Sequence, residues 1–280
     1  MIANLSNSVD ICILTGGGSH GSYAAGVLSK LYDNSQLKCD IVSGISVGAL
    51  NAIPLVSKSI YNLSYIYSDI WMNIKRQDVF EYLPGLNHLL DTRPLRQTLN
   101  NFLNKYQLNV TKVPLYIGAS SVTEGIFTEW RIPEEFSAKY LIDYVMASAA
   151  IPILFPMIEI SSEYFSDGGL LRNIITNGPI NEALLQKPSR INILIVSLRK
   201  NVTKVDLSEL KNLIQVIVRT VSILYQNIGD VYLSCRGEID VIATIYTMPE
   251  TNCNIIDFDC CDELFKIGYT STNVDVIKLC

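Results

Sequence analysis

Near its N-terminus the chain writes the same pattern twice: a short apolar run, a glycine turn, then apolar residues at helical spacing. Val9-Asp10-Ile11-Cys12-Ile13-Leu14 leads into Gly16-Gly17-Gly18, and Tyr23, Ala24, Val27, Leu28 and Leu31 follow. Asp40-Ile41-Val42-Ser43 leads into a second glycine turn, followed by Ala49, Leu50, Ala52 and Ile53. Runs this apolar fit strands buried on both faces, and the helical spacing after each turn fits a crossover helix. Strand–turn–helix repeated in this way is the start of an α/β fold with a parallel sheet.

The rest of the chain extends the same architecture. Val113 to Ser120 reads as a strand, and Ile191 to Leu198 as a central strand. Asp91 or Thr92 caps a helix with Pro94 in its first turn. Pro133-Glu134-Glu135 opens another helix running to about Ala147. Leu207 to Ile228 reads as a long helix, apolar on more than one face. A buried core helix is the simpler reading, and a partly exposed face for lipid contact is the alternative. No repeat, low-complexity tract or long linker divides the sequence, so 9–270 is expected to be one domain and 271–280 a C-terminal tail. With 280 residues, 49% of them hydrophobic, there is material for one large core.

Composition excludes several classes of function. The net charge is −5 and the densest basic cluster is Lys75-Arg76, so no basic face for nucleic acid and no polybasic membrane anchor is expected. Charged residues make up 18%, which leaves a surface suited to touching something apolar. Met1 to Asp10 lacks a signal-peptide pattern, and no apolar run is long enough to span a bilayer. The expectation is a cytoplasmic protein able to sit on a membrane from outside. The seven cysteines are odd in number and are expected to be reduced. Cys253, Cys260 and Cys261 cluster, but not as C-x-x-C and with no histidine nearby, which argues against zinc.

Gly44-Ile45-Ser46-Val47-Gly48 fits G-x-S-x-G between a strand and a helix. That context lifts a serine hydroxyl out of the sheet on a strained corner, and aims the next backbone N–H, that of Val47, at a developing oxyanion. Gly44 and Gly48 leave room for the neighbouring strand and helix. A serine nucleophile needs a base, ordinarily histidine. The chain has only two, His20 and His88, and no histidine follows His88, so a Ser…Asp…His order is impossible. Asp167, in Asp167-Gly168-Gly169 after the strand-like Glu163-Tyr164-Phe165-Ser166, supplies a candidate base, although Asp-Gly is also an ordinary turn pair. Gly16-Gly17-Gly18-Ser19-His20-Gly21 supplies a third element. It matches the dinucleotide-binding G-x-G-x-x-G, and it equally offers backbone N–H groups to a tetrahedral oxyanion.

Taken in order, the glycine loop, the G-x-S-x-G turn and the later Asp-Gly-Gly resemble the patatin-like phospholipase family. Cys39 through Ala52 is similar to its nucleophile block, and Ala147-Ser148-Ala149-Ala150-Ile151-Pro152 through Phe155-Pro156 to its third block. Ile255-Ile256-Asp257-Phe258-Asp259, with Gly268-Tyr269, resembles the family's last strand and helix. The resemblance implies a three-layer α/β sandwich with a mostly parallel central sheet. It implies a lipid acyl hydrolase of phospholipase A type, with Ser46 and Asp167 as a catalytic dyad and no cofactor or metal. Gly16, Gly17, Gly18 and Gly21, with Val47, would form the oxyanion hole. The substrate would be a membrane or lipid-droplet lipid met by peripheral contact. Two departures stand out: His20 occupies a position where the family usually has Arg or Lys, and Asn173-Ile174-Ile175 lacks the proline of the family's Asn-x-Pro. His20 is therefore a possible modulator of the loop. A binding protein that keeps the fold without activity, and a nucleotide-binding protein using the glycine loop, are the alternatives.

Overall fold

A computed structural model describes residues 7–57, 59–85, 88–108, 113–134, 138–198, 212–227 and 239–279. Its centre is a nine-stranded mixed sheet. The middle of the sheet is parallel: β3 (Leu115–Ser121), β2 (Ile41–Ile45), β1 (Ser8–Leu14), β7 (Arg190–Ser197) and β8 (Asp240–Thr247), in that spatial order. Antiparallel strands complete it. They are β4 (Ile126–Ile132) and β6 (Glu163–Asp167) on β3, β5 (Ile158–Ile160) on β6, and β9 (Val274–Lys278) on β8.

Side-chain alternation divides the core into two layers. In β1, Cys12 and Leu14 join the larger cluster, whereas Val9, Ile11 and Ile13 join the smaller one on the other face. Five helices pack into the larger layer: α1 (Gly21–Asp33), α2 (Val47–Val56), α3 (Leu63–Asn73), α4 (Arg93–Tyr106) and α5 (Ala138–Ser148). Side chains of α8 (Cys261–Thr270) and α7 (Leu213–Asn227) join them. The opposite face is covered by α6 (Asn177–Leu185), through Ile180, Ala183 and Leu184. The result is the expected sandwich of helices, mostly parallel sheet and helix.

Several local expectations change. The helix expected from Pro133 begins at Ala138: Pro133 follows directly on β4, and residues 135–137 lie outside the described residues. At α4, Thr92 holds the cap position, while the Asp91 carboxylate accepts the Arg93 N–H at 2.8 Å. Ile255 to Asp259 forms turns, not a strand. Ile255 and Phe258 are apolar because they are buried over the glycine loop and the cavity beside it. Helix α7 is not fully buried: Val218 and Val221 face the core, whereas Leu213, Val216 and Ile223 are exposed. The remainder of the expected span, 207–211 and 228, lies outside the described residues. Within 271–280, β9 continues the sheet beyond β8.

The cysteines also differ from expectation. Cys12 in β1 is joined to Cys39 just before β2, and Cys253 to Cys260, while Cys261 is a buried free thiol. Cys12 and Cys39 lie where the paired strands β1 and β2 bring them together, which linear spacing does not reveal. None of the described helices is long and apolar enough to cross a membrane.

Candidate active site

Strand register brings the two expected catalytic residues to one place. Strand β4 runs along one edge of β3 for its whole length, Leu115 to Ser121. The other edge is therefore shared: β2 occupies Leu115 to Gly118, and β6 occupies Ala119 to Ser121 from the opposite direction. β2 ends with Ile45 opposite Gly118, and β6 ends with Asp167 opposite Ala119. Ser46 and Asp167 are thus the points at which two strands converge head to head on one edge. The packing agrees, because a Cβ placed on Gly168 would lie 2.9 Å from Ile45 Cγ2 and 2.6 Å from the Gly118 carbonyl.

Ser46 sits on a strained corner. Its φ of 55° and ψ of −126° put a non-glycine residue in a sparsely populated region. The flanking glycines exist for close approach: a Cβ on Gly44 would meet Gly48 O at 2.4 Å, and one on Gly48 would meet Leu14 O at 2.2 Å. Helix α2 starts at Val47, so Ser46 stands at its N-terminus, where the helix end favours negative charge. Asp167 is fully buried, and its carboxylate accepts the Gly169 N–H at 2.8 Å. Its own N–H donates to Ala150 O at 2.8 Å. Gly168 and Gly169 begin the short turn that follows β6.

The glycine loop lies against the serine. A Cβ on Gly16 would stand 3.1 Å from Ser46 Cβ, and one on Gly21 would stand 2.1 Å from Val47 Cγ2. Its backbone donors divide by role. The Gly16 N–H is taken by Asn173 Oδ1 at 2.9 Å, and the Ser19 N–H by Ile255 O at 2.9 Å. The N–H groups of Gly17, Gly18 and Val47 have no acceptor among the described residues, and Gly18 and Val47 line the same cavity as Ser46. His20 is buried, with Nε2 3.0 Å from the Cys253 carbonyl, so its ring is engaged with the 253–260 turn. His88 is half-buried in a loop before α4.

Three residues that the sequence marks only as parts of motif blocks have supporting contacts of their own. Ser148, at the end of α5, accepts the Ser46 N–H and donates to Gly118 O. Asn173 orients Gly16, so the Asn of the incomplete Asn-x-Pro has a structural task. Asn51 ties three elements together: its amide donates to Gly21 O at 2.8 Å, its Oδ1 accepts from Trp71 Nε1 at 2.9 Å, and its backbone O accepts from Tyr67 at 2.5 Å. Burial raises the pKa of the Tyr67 hydroxyl, which stays a neutral donor. The Cys261 thiol, near Ser19 O, is pushed up to about 12 by burial.

Beside Ser46 opens an apolar cavity walled by Val47, Leu50, Trp71, Phe155, Ile255 and Phe258. Serine, buried carboxylate, unpaired backbone donors and an apolar cleft together suit acyl transfer from an apolar ester. For metals, Cys253, Asp257 and Cys260 form the one close group of three ligand-type side chains among the described residues. Its two sulfurs are bonded to each other, so neither is a thiolate.

A sequence model of the family described as "Patatin-like phospholipase" matches residues 13–183, the segment that holds the glycine loop, Ser46 and Asp167. Among solved structures, the chain is similar to VipD from Legionella pneumophila, at 12% identity and a TM-score of 0.45. The match covers 97% of this chain and 68% of that one. No curated protein matches the chain.

Proposed function

The chain belongs to the patatin-like phospholipase family, and from that premise we propose that it hydrolyses fatty-acyl esters of (phospho)glycerolipids, with Ser46 as nucleophile and Asp167 as general base. The observation that carries this reading is the shared edge of β3, on which the strands ending at Ile45 and Asp167 converge.

Asp167 takes the Ser46 proton as Oγ bonds to the ester carbonyl carbon. The carbonyl oxygen becomes an oxyanion, held by the N–H groups of Gly17, Gly18 and Val47 and by the N-terminal end of α2. The C–O bond to the leaving alcohol then breaks, and the alcohol takes the proton from Asp167. A water, deprotonated by Asp167, attacks the acyl-serine; its ester C–O bond breaks, the fatty acid leaves, and Ser46 Oγ takes the proton back from Asp167. Gly16 serves as a packing residue here, since its N–H is committed to Asn173. A carboxylate is a weaker base than imidazole, which fits ester cleavage better than amide cleavage.

Contact with a lipid surface belongs to the same reading. Helix α7 packs beside the turn that follows Asp167 and exposes Leu213, Val216 and Ile223. Replacing Leu213 with Glu should reduce co-sedimentation with phosphatidylcholine vesicles. Unchanged binding would remove α7 from the lipid-facing surface.

A fluorophosphonate tests the nucleophile, because an activated serine attacks phosphorus as it attacks a carbonyl. Peptide mapping should find the label on Ser46, and Ser46→Ala should lose both label and lipid hydrolysis. A label on another serine of active protein would refute the assignment.

A further inference from the structure

A second apolar cavity continues the first along helix α2. It is lined by Ile53 and Pro54 of α2, Ile70 of α3, and Leu99, Phe102 and Leu103 of α4. The two cavities share four walls: Leu50, Trp71, Ile74 and Leu95. Helical geometry explains the alignment. Leu50 is one turn beyond Ser46 and Pro54 two turns beyond, so all three follow one face of α2. At ~1.5 Å per residue, Pro54 lies ~12 Å from Ser46 along the axis.

The shared walls are of two kinds. Trp71 is fixed, because its indole N–H is bonded to Asn51, which is itself bonded to Gly21. Leu50, Ile74 and Leu95 are aliphatic, have no polar anchor, and change position by rotamer alone. Each cavity measures about 50 Å³, room for only a few water-sized groups. Neither holds a long acyl chain by itself. A chain that outruns the first cavity meets Leu50, Ile74 and Leu95, with apolar space directly behind them.

We propose that the two cavities are halves of one acyl track, and that Leu50, Ile74 and Leu95 form a movable partition admitting the distal half of a long, unbranched acyl chain. The chain would run from Ser46 past the partition to end beneath α4 at Leu99 and Leu103. This inference rests on Ser46 as the site of acyl transfer. It adds that chain length is decided between α2 and α4, away from the reacting atoms.

The test compares kcat/KM for p-nitrophenyl palmitate and p-nitrophenyl butyrate. Leu99→Phe, which fills the distal cavity, should lower the palmitate-to-butyrate ratio by at least about tenfold, since each excluded methylene is itself worth about that factor. Leu95→Ala, which opens the partition, should raise the ratio. An unchanged ratio in folded Leu99→Phe overturns the proposal. If that variant does not fold, an unchanged ratio in Leu95→Ala does so instead. Binding of a fluorescent long-chain fatty acid to Ser46→Ala protein reads the track without catalysis. Leu99→Phe in that background should weaken it about tenfold, and equal affinity would overturn the track. Binding that responds in this way, in a protein whose ester hydrolysis is indifferent to Ser46→Ala, would instead sink the catalytic reading and leave the track standing.

Discussion

The hydroxyl of Ser148 accepts the backbone N–H of Ser46 at 2.9 Å and donates to the carbonyl of Gly118 at 2.6 Å. Gly118 is the β3 residue opposite Ile45, so one side chain from α5 pins the strained serine corner to β3, the strand against which β6 ends at Asp167. Ser148→Ala would leave a buried N–H and a buried carbonyl without this partner, at a cost of about 1–3 kcal/mol. The variant should melt several degrees lower and lose kcat more than it gains in KM, because the corner and not the apolar cavity is disturbed. Thermal melts and steady-state kinetics check both. Wild-type values for each would mean that the bracket is incidental.

Gly18 and Gly125 separate backbone strain from packing. Both have positive φ, +57° and +69°. A Cβ on Gly125 meets nothing within 4 Å, whereas one on Gly18 would lie 2.0 Å from Ile255 O. Gly125→Ala should cost only the left-handed penalty of about 1–2 kcal/mol and leave activity intact. Gly18→Ala should destabilise the protein by clearly more, and displace the loop from the 255 turn with loss of kcat. Urea denaturation of the two variants gives the comparison. Equal midpoints would show that the loop does not depend on that contact.

Cys261 gives a pH-dependent prediction. Its thiol is pushed up to about 12 in the folded protein, chiefly by burial, from an ordinary value of 9.0. A raised pKa means that the folded state resists ionisation that the unfolded state accepts. Stability from this group is therefore complete below about pH 9 and declines as pH rises towards 12. Folded protein should resist iodoacetamide at Cys261 at neutral pH, and Cys261→Ala should show a shallower alkaline loss of stability. Rapid labelling of Cys261 in native protein would contradict its burial.

What the sequence makes legible is what is local. β1, β2 and the glycines at Gly16 to Gly18, Gly44 and Gly48 announce themselves, because strand, turn and helix each leave a short-range pattern. Asp167 is nameable as a candidate through its Asp-Gly-Gly setting and the family resemblance that setting supports. Its meeting with Ser46 is not, because it depends on β2 and β6 dividing one edge of β3. Ile255 to Asp259 misleads for a related reason: the apolar residues there cover Gly18 and line the cavity, and periodicity cannot tell such a lining from a strand. Ser148, a serine between alanines at the end of a helix, gives no hint of the N–H it receives. Edge strands β4 and β9, with most of their side chains only half-buried or exposed, lack the continuous apolar run that marks β1 and β7.

The proposed catalytic pairing is tested most directly by the kcat/KM of Asp167→Asn for ester hydrolysis, with the fold verified by circular dichroism. Asparagine keeps the size of the side chain and an oxygen for the Gly169 N–H, but it cannot take the proton of Ser46. Loss of a general base costs about 10²–10⁴-fold, and kcat/KM should fall by that amount with little change in melting temperature. A folded Asp167→Asn protein that keeps most of its activity would show that the carboxylate is only a turn residue, and that the base lies elsewhere.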